Sequence, residues 1–93
     1  MTPEGAVAFV VRGDSMYPAY LEGSYIIAAP GEDLQGALYR RIVATLADGR
    51  RVVKQLGPGS KPGRYTLYSA NGPPIPDAEI IAFARVIGTI EPL

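Results

Sequence analysis

Glycine and proline interrupt this chain so often that no long helix fits between them. Eleven glycines and nine prolines fall among 93 residues. The apolar runs they separate are short and dominated by β-branched residues and tyrosine. That pattern predicts strands at residues 6–12, 25–29, 38–46, 50–56 and 64–69, and over 80–90 either one bent strand or two, with a bulge at Gly88. One short helical turn is expected at residues 16–21. The chain is therefore read as an all-β, or nearly all-β, single domain over residues 1–93, with 47% hydrophobic residues supplying one modest core.

The first run ends at Gly13-Asp14-Ser15-Met16-Tyr17-Pro18. Gly13 permits a backbone conformation that other residues resist, while Pro18 fixes φ and lacks an N–H, so the chain must leave the strand here. Ser15 is thereby set in a rigid bend at a strand's end. Its hydroxyl is essentially un-ionised at neutral pH and needs a base to become a nucleophile. The chain has no histidine, which excludes a serine–histidine pair and leaves a lysine, a carboxylate or a terminal amine. Asp14, beside the turn, is expected to bond nearby backbone N–H groups, and Met16 and Tyr17 read first as core.

Two lysines are present, and their surroundings differ. Lys61 lies in a glycine- and proline-rich loop, residues 57–63. Lys54 lies within Arg51-Val52-Val53-Lys54-Gln55-Leu56, a strand that puts it beside aliphatic neighbours. Burial there disfavours the ammonium and lowers its pKa, the condition for acting as a base. Asp48-Gly49 predicts a two-residue hairpin turn, with Ala47 facing Arg50 and Val43 facing Lys54. The face carrying Lys54 would then hold Val43, Thr45, Val52 and Leu56, and the other Ile42, Ala44, Leu46 and Val53.

The serine turn and the later Val53-Lys54-Gln55-Leu56 together resemble the LexA-like self-cleaving serine peptidase domain of LexA, phage repressors and UmuD, whose serine motif recurs in bacterial signal peptidases. The order of elements agrees over nearly the whole chain: a turn at Gly23, a strand at Tyr25-Ile26-Ile27, the lysine strand, Leu67-Tyr68-Ser69 leading to Asn71, and Ile87-Gly88-Thr89-Ile90. The resemblance implies a small twisted, partly closed β-sheet domain. It implies Ser15 as nucleophile, Lys54 as general base and the backbone N–H groups of Ser15 and Met16 as oxyanion donors, with Gly13, Asp14 and Pro18 holding the turn. Two positions depart from the family pattern: Ser24 stands where an aspartate usually follows the glycine, and Gly72 separates Asn71 from Pro73.

The same resemblance implies autoproteolysis of an upstream bond, usually Ala-Gly, in a repressor that dimerises through this domain and responds to a RecA filament in the SOS response. DNA would be bound by a separate helix-turn-helix domain. The chain contains no Ala-Gly dipeptide and has 14 residues before Ser15. Its expected substrate is thus an upstream part of its own polypeptide, outside these residues. Nine basic and nine acidic side chains balance to zero, which argues against nucleic-acid binding by this domain alone. The absence of cysteine and histidine argues against zinc, haem and thiol chemistry, so no cofactor or metal is expected. No apolar run approaches a membrane span and no signal peptide is visible, so a cytoplasmic protein is expected.

Arg40, Arg41, Arg50 and Arg51 form the one basic cluster, read as a solvated strand edge in preference to a phosphate-binding ribbon. Two other functional readings stay open from the residues. One is a catalytically inactive dimerisation or sensing module of a phage-type regulator; the other, weaker, is a soluble signal-peptidase-like processing enzyme.

Overall fold

The structure, a computed structural model, describes residues 5–13, 16, 20–31 and 33–91. Six strands are formed: β1 (Val7–Val10), β2 (Tyr25–Pro30), β3 (Arg41–Leu46), β4 (Arg51–Pro58), β5 (Tyr65–Tyr68) and β6 (Ile80–Ile90). They make one antiparallel sheet in the order β1-β2-β6-β3-β4-β5. A 3-10 turn at Gln35–Ala37 precedes β3. The Tyr20 N–H donates to the Met16 carbonyl at 3.0 Å; residues 17–19 of the helical turn expected there lie outside the described residues. Among the described residues no helix is long and apolar enough to cross a membrane.

The β3–β4 hairpin corrects the expected register. Leu46 and Arg50 close a three-residue loop of Ala47, Asp48 and Gly49: the Leu46 N–H donates to the Arg50 carbonyl at 2.8 Å and the Gly49 N–H to the Leu46 carbonyl at 2.9 Å. Gly49 takes φ +91, the left-handed position that ends a turn-plus-bulge loop rather than a two-residue turn. The Asp48 carboxylate accepts from the Arg50 N–H at 2.9 Å and from its Nε at 2.7 Å, fixing that geometry. Lys54 consequently faces Ile42, and Val43 faces Val53. A one-residue slip exchanges faces, so Lys54 is aligned with Ile42, Ala44, Val52 and Leu56 instead of Val43 and Thr45.

β6 is a single long strand that serves two neighbours by bulging twice. Leu46 pairs with Ile80 and Thr45 with Ala82, leaving Ile81 extra; Ala28 pairs with Val86 and Ile27 with Gly88, leaving Ile87 extra. The extra residue expected at Gly88 is thus its neighbour Ile87. Bulges bend a strand and sharpen its twist, and here the sheet curls strongly. β1 and β4, four strand spacings apart, would be separated by about 19 Å in a flat sheet. Instead the Arg51 guanidinium lies 5.2 Å from the centroid of the Phe9 ring.

Curling gives the sheet two apolar faces, each with its own core. One holds Val11, Met16, Tyr20, Ile26, Ala28, Val43 and Ala84, with Phe9 and Val53 packed against them. The other holds Ala37, Ile42, Ala44, Leu46, Leu56 and Leu67, covered by Leu34, Leu38, Ile75 and Ala78. Each strand of the hairpin alternates between these cores, which is why both of its faces are apolar in sequence.

Candidate active site

The expected nucleophile Ser15, with Asp14, Tyr17 and Pro18, lies outside the described residues; the structure describes the frame on either side of it. Gly13 has φ +78, the left-handed conformation that favours glycine. Its N–H donates to the Glu22 carboxylate at 3.2 Å. Below it, the Val11 N–H donates to the Ser24 carbonyl at 2.9 Å and the Gly23 N–H to the Val11 carbonyl at 3.0 Å. Val11 and Met16 are both buried in the first core. The turn is therefore anchored before and after Ser15, and the Glu22-Gly23-Ser24 turn is its clamp.

Lys54 is 8% exposed. Desolvation by burial holds its ammonium pKa below the ordinary 10.5, because a low-dielectric surround penalises the charged form. The apolar neighbours differ from those expected, since the register makes Ile42 the cross-strand partner. The outcome is the same, as Ile42 and Leu56 are both fully buried.

Lys54 and the approach to the serine turn meet in one cleft of about 390 Å³. Val10, Val11 and Arg12 line one side, and Arg51, Val53 and Lys54 the other. The cleft exists because two strand edges face each other without pairing. β1 is an outer strand of the sheet, and β5 pairs with β4 only at residues 55–58, which leaves residues 51–54 with an open edge. Such edges accept an extended peptide through main-chain hydrogen bonds. Among the described residues no group of three or more acidic side chains converges as a metal site.

Sequence reasoning missed four contributors. Arg51 and Phe9 meet only once the sheet curls, and Arg12 enters the cleft for the same reason; none of the three carries a local signal. Glu22 had one, an acidic side chain in a turn nine residues from Gly13. The basic cluster expected at Arg40, Arg41, Arg50 and Arg51 is divided: Arg50 pairs with Asp48, Arg51 lies over Phe9, and Arg40 and Arg41 turn to another depression.

The sequence model of the Peptidase S24-like family matches residues 1–90. A search of curated proteins found no match to the chain.

Proposed function

Because the chain belongs to the Peptidase S24-like family, the LexA/UmuD-type peptidase domains, we propose that it is a serine–lysine dyad peptidase domain of a repressor-like regulator. The observation that carries this reading is the shared cleft: a buried, pKa-depressed Lys54 beside the strand end that leads into Ser15. The peptide substrate lies extended between the open edges of β1 and β4. As the Ser15 hydroxyl attacks the scissile carbonyl, the neutral Lys54 amine takes its proton. Backbone N–H groups of Ser15 and Met16 hold the oxyanion. Lys54, now an ammonium, gives the proton to the departing amine, and water then hydrolyses the Ser15 ester.

In this reading the substrate is an upstream segment of the same polypeptide, DNA is bound by a separate domain, a RecA filament triggers cleavage and the protein works in the cytoplasm. Two copies associate through the exposed row Val10, Tyr25 and Ile90, which the register aligns across three strands. The test is hydrolysis of a supplied peptide containing an Ala-Gly bond. Wild type cleaves it, while Ser15→Ala and Lys54→Met each abolish cleavage with the fold intact by circular dichroism. Normal turnover by either variant removes the assignment.

One observation favours the alternative of an inactive dimerisation module. The Ser24 hydroxyl, where the family usually has an aspartate, is buried with no hydrogen-bond partner. Cleavage by wild type rejects that alternative. Absence of cleavage together with dimers that Ile90→Lys dissociates supports it.

A further inference from the structure

β6 runs on past the start of β3. Pairing with β3 begins at Ile42 opposite Arg85, whereas β2 follows β6 as far as Ile90. The notch left beside Val86 and Ile87 opens into a depression of about 590 Å³. Arg40, Arg41 and Arg85 line it together with Tyr20 and Tyr39, and no acidic residue does. No residue is shared with the Lys54 cleft.

Arg40, Arg41 and Arg85 therefore line one depression in a chain of zero formal charge, Arg85 also lining a neighbouring one with Asp33. Among the described residues the ion pair formed is Arg50 with Asp48, so none of the three is neutralised there. Like charges gathered in a hollow repel one another and create a potential that an anion relieves. Arg41 is also oriented, its guanidinium 5.2 Å from the centroid of the buried Tyr20 ring.

Tyr39 adds a second, independent feature. Its φ is +67, a conformation unfavourable for a bulky side chain. The strain is held from both sides: its N–H donates to the Leu56 carbonyl at 2.7 Å, and its carbonyl accepts from Gln55 Nε2 at 3.1 Å. The residue is 67% exposed, so burial does not explain an aromatic here. Glycine would take the same backbone freely. A flat ring fixed at the rim of a basic hollow is a stacking platform.

We infer that this notch binds a nucleotide, its phosphate held by the forked donors of Arg40, Arg41 and Arg85 and its base stacked on Tyr39. The chemistry is common to a free mononucleotide and to a segment of single-stranded nucleic acid. The inference does not depend on peptidase activity.

The test is fluorescence anisotropy of a labelled oligothymidylate of about 12 nucleotides with the 93-residue chain in about 50 mM salt. AMP serves as competitor. Saturable binding is expected, weakened about tenfold by Arg41→Gln and by Arg85→Gln. Arg50→Gln, outside the notch, leaves it unchanged. Tyr39→Gly, which relaxes the backbone instead of straining it, keeps the fold and weakens binding. Displacement by AMP identifies a mononucleotide pocket, and displacement by unlabelled oligonucleotide alone identifies a strand site. Failure of the oligonucleotide to bind saturably overturns the inference, as does an equal loss in Arg50→Gln or unchanged binding by Tyr39→Gly.

Discussion

The two cores of the curled sheet share β3, β4 and β6 and end differently. The core of Ile42, Leu56 and Leu67 is sealed: the chain around Leu34–Leu38 covers one side, and Ile75, paired backbone to backbone with Leu67, covers another. The core of Val11, Ile26 and Val43 is sealed on the side of Met16 and Tyr20 but opens between β1 and residues 51–54. The difference comes from where β5 stops. It pairs with β4 at Gln55–Pro58 and not before, so a single strand belongs to a closed structure at one end and to an open cleft at the other. Lys54 stands at the last position before the pairing begins.

If that division is real, truncation should cost most in the sealed core. Leu56→Ala is expected to destabilise by about 2–5 kcal/mol in urea unfolding, through lost transfer energy and an unfilled cavity. Val53→Ala, on the open side and only partly buried, should cost clearly less. Equal losses would break the comparison.

Lys54→Met tests the buried amine with the opposite sign. The folded-state pKa lies below 10.5, so between the folded value and 10.5 the unfolded chain binds more protons and stability rises with pH. The penalty is fully present below the folded pKa. Removing the amine should therefore raise the unfolding midpoint at about pH 7 and flatten its rise toward about pH 10.

A smaller effect is expected at Ser24, in the clamp under the serine turn. Its hydroxyl is buried without a partner, so Ser24→Ala should be neutral or stabilising by about 1 kcal/mol in urea unfolding. The smallest effect lies on the sealed side. Asp77 accepts from the Ser60 N–H at 2.9 Å and from its hydroxyl at 2.8 Å, fastening the loop after β4 to the turn that follows Ile75. These hydrogen bonds, chiefly the one from the Ser60 N–H, hold its carboxyl below the ordinary 3.8. The stabilisation is present above the unfolded pKa and is lost as pH falls through the folded value. Asp77→Asn should lower neutral stability slightly and make the further loss below about pH 4 shallower.

What the sequence revealed about this comparison depended on how local the determinant was. The strands were legible because glycine, proline and β-branched runs act within a few residues. Lys54's burial was legible because Val52, Val53 and Leu56 surround it in the strand itself. The hairpin's position could be read from Asp48-Gly49, but its register could not, since the same dipeptide serves a two-residue turn and a turn with a bulge. Burial of Lys54 survived that error because both faces of the hairpin are apolar. The cleft was not legible: it depends on two bulges in β6 and on β5 pairing with half of β4. The Arg40–Arg41–Arg85 notch joins positions more than forty residues apart in the sequence and rests on a tyrosine at positive φ, which no propensity would place there.

The central claim is that Lys54, its pKa lowered by burial, activates Ser15. The most direct measurement is the rate at which a fluorophosphonate acylates the protein as a function of pH, with the modified residue identified by peptide mass spectrometry. The account predicts a single adduct on Ser15 and a rate that rises through an apparent pKa below 10.5. Both the rise and the adduct should vanish in Lys54→Met. An adduct formed equally fast in Lys54→Met, or a rate with no dependence on pH below 10.5, would contradict it.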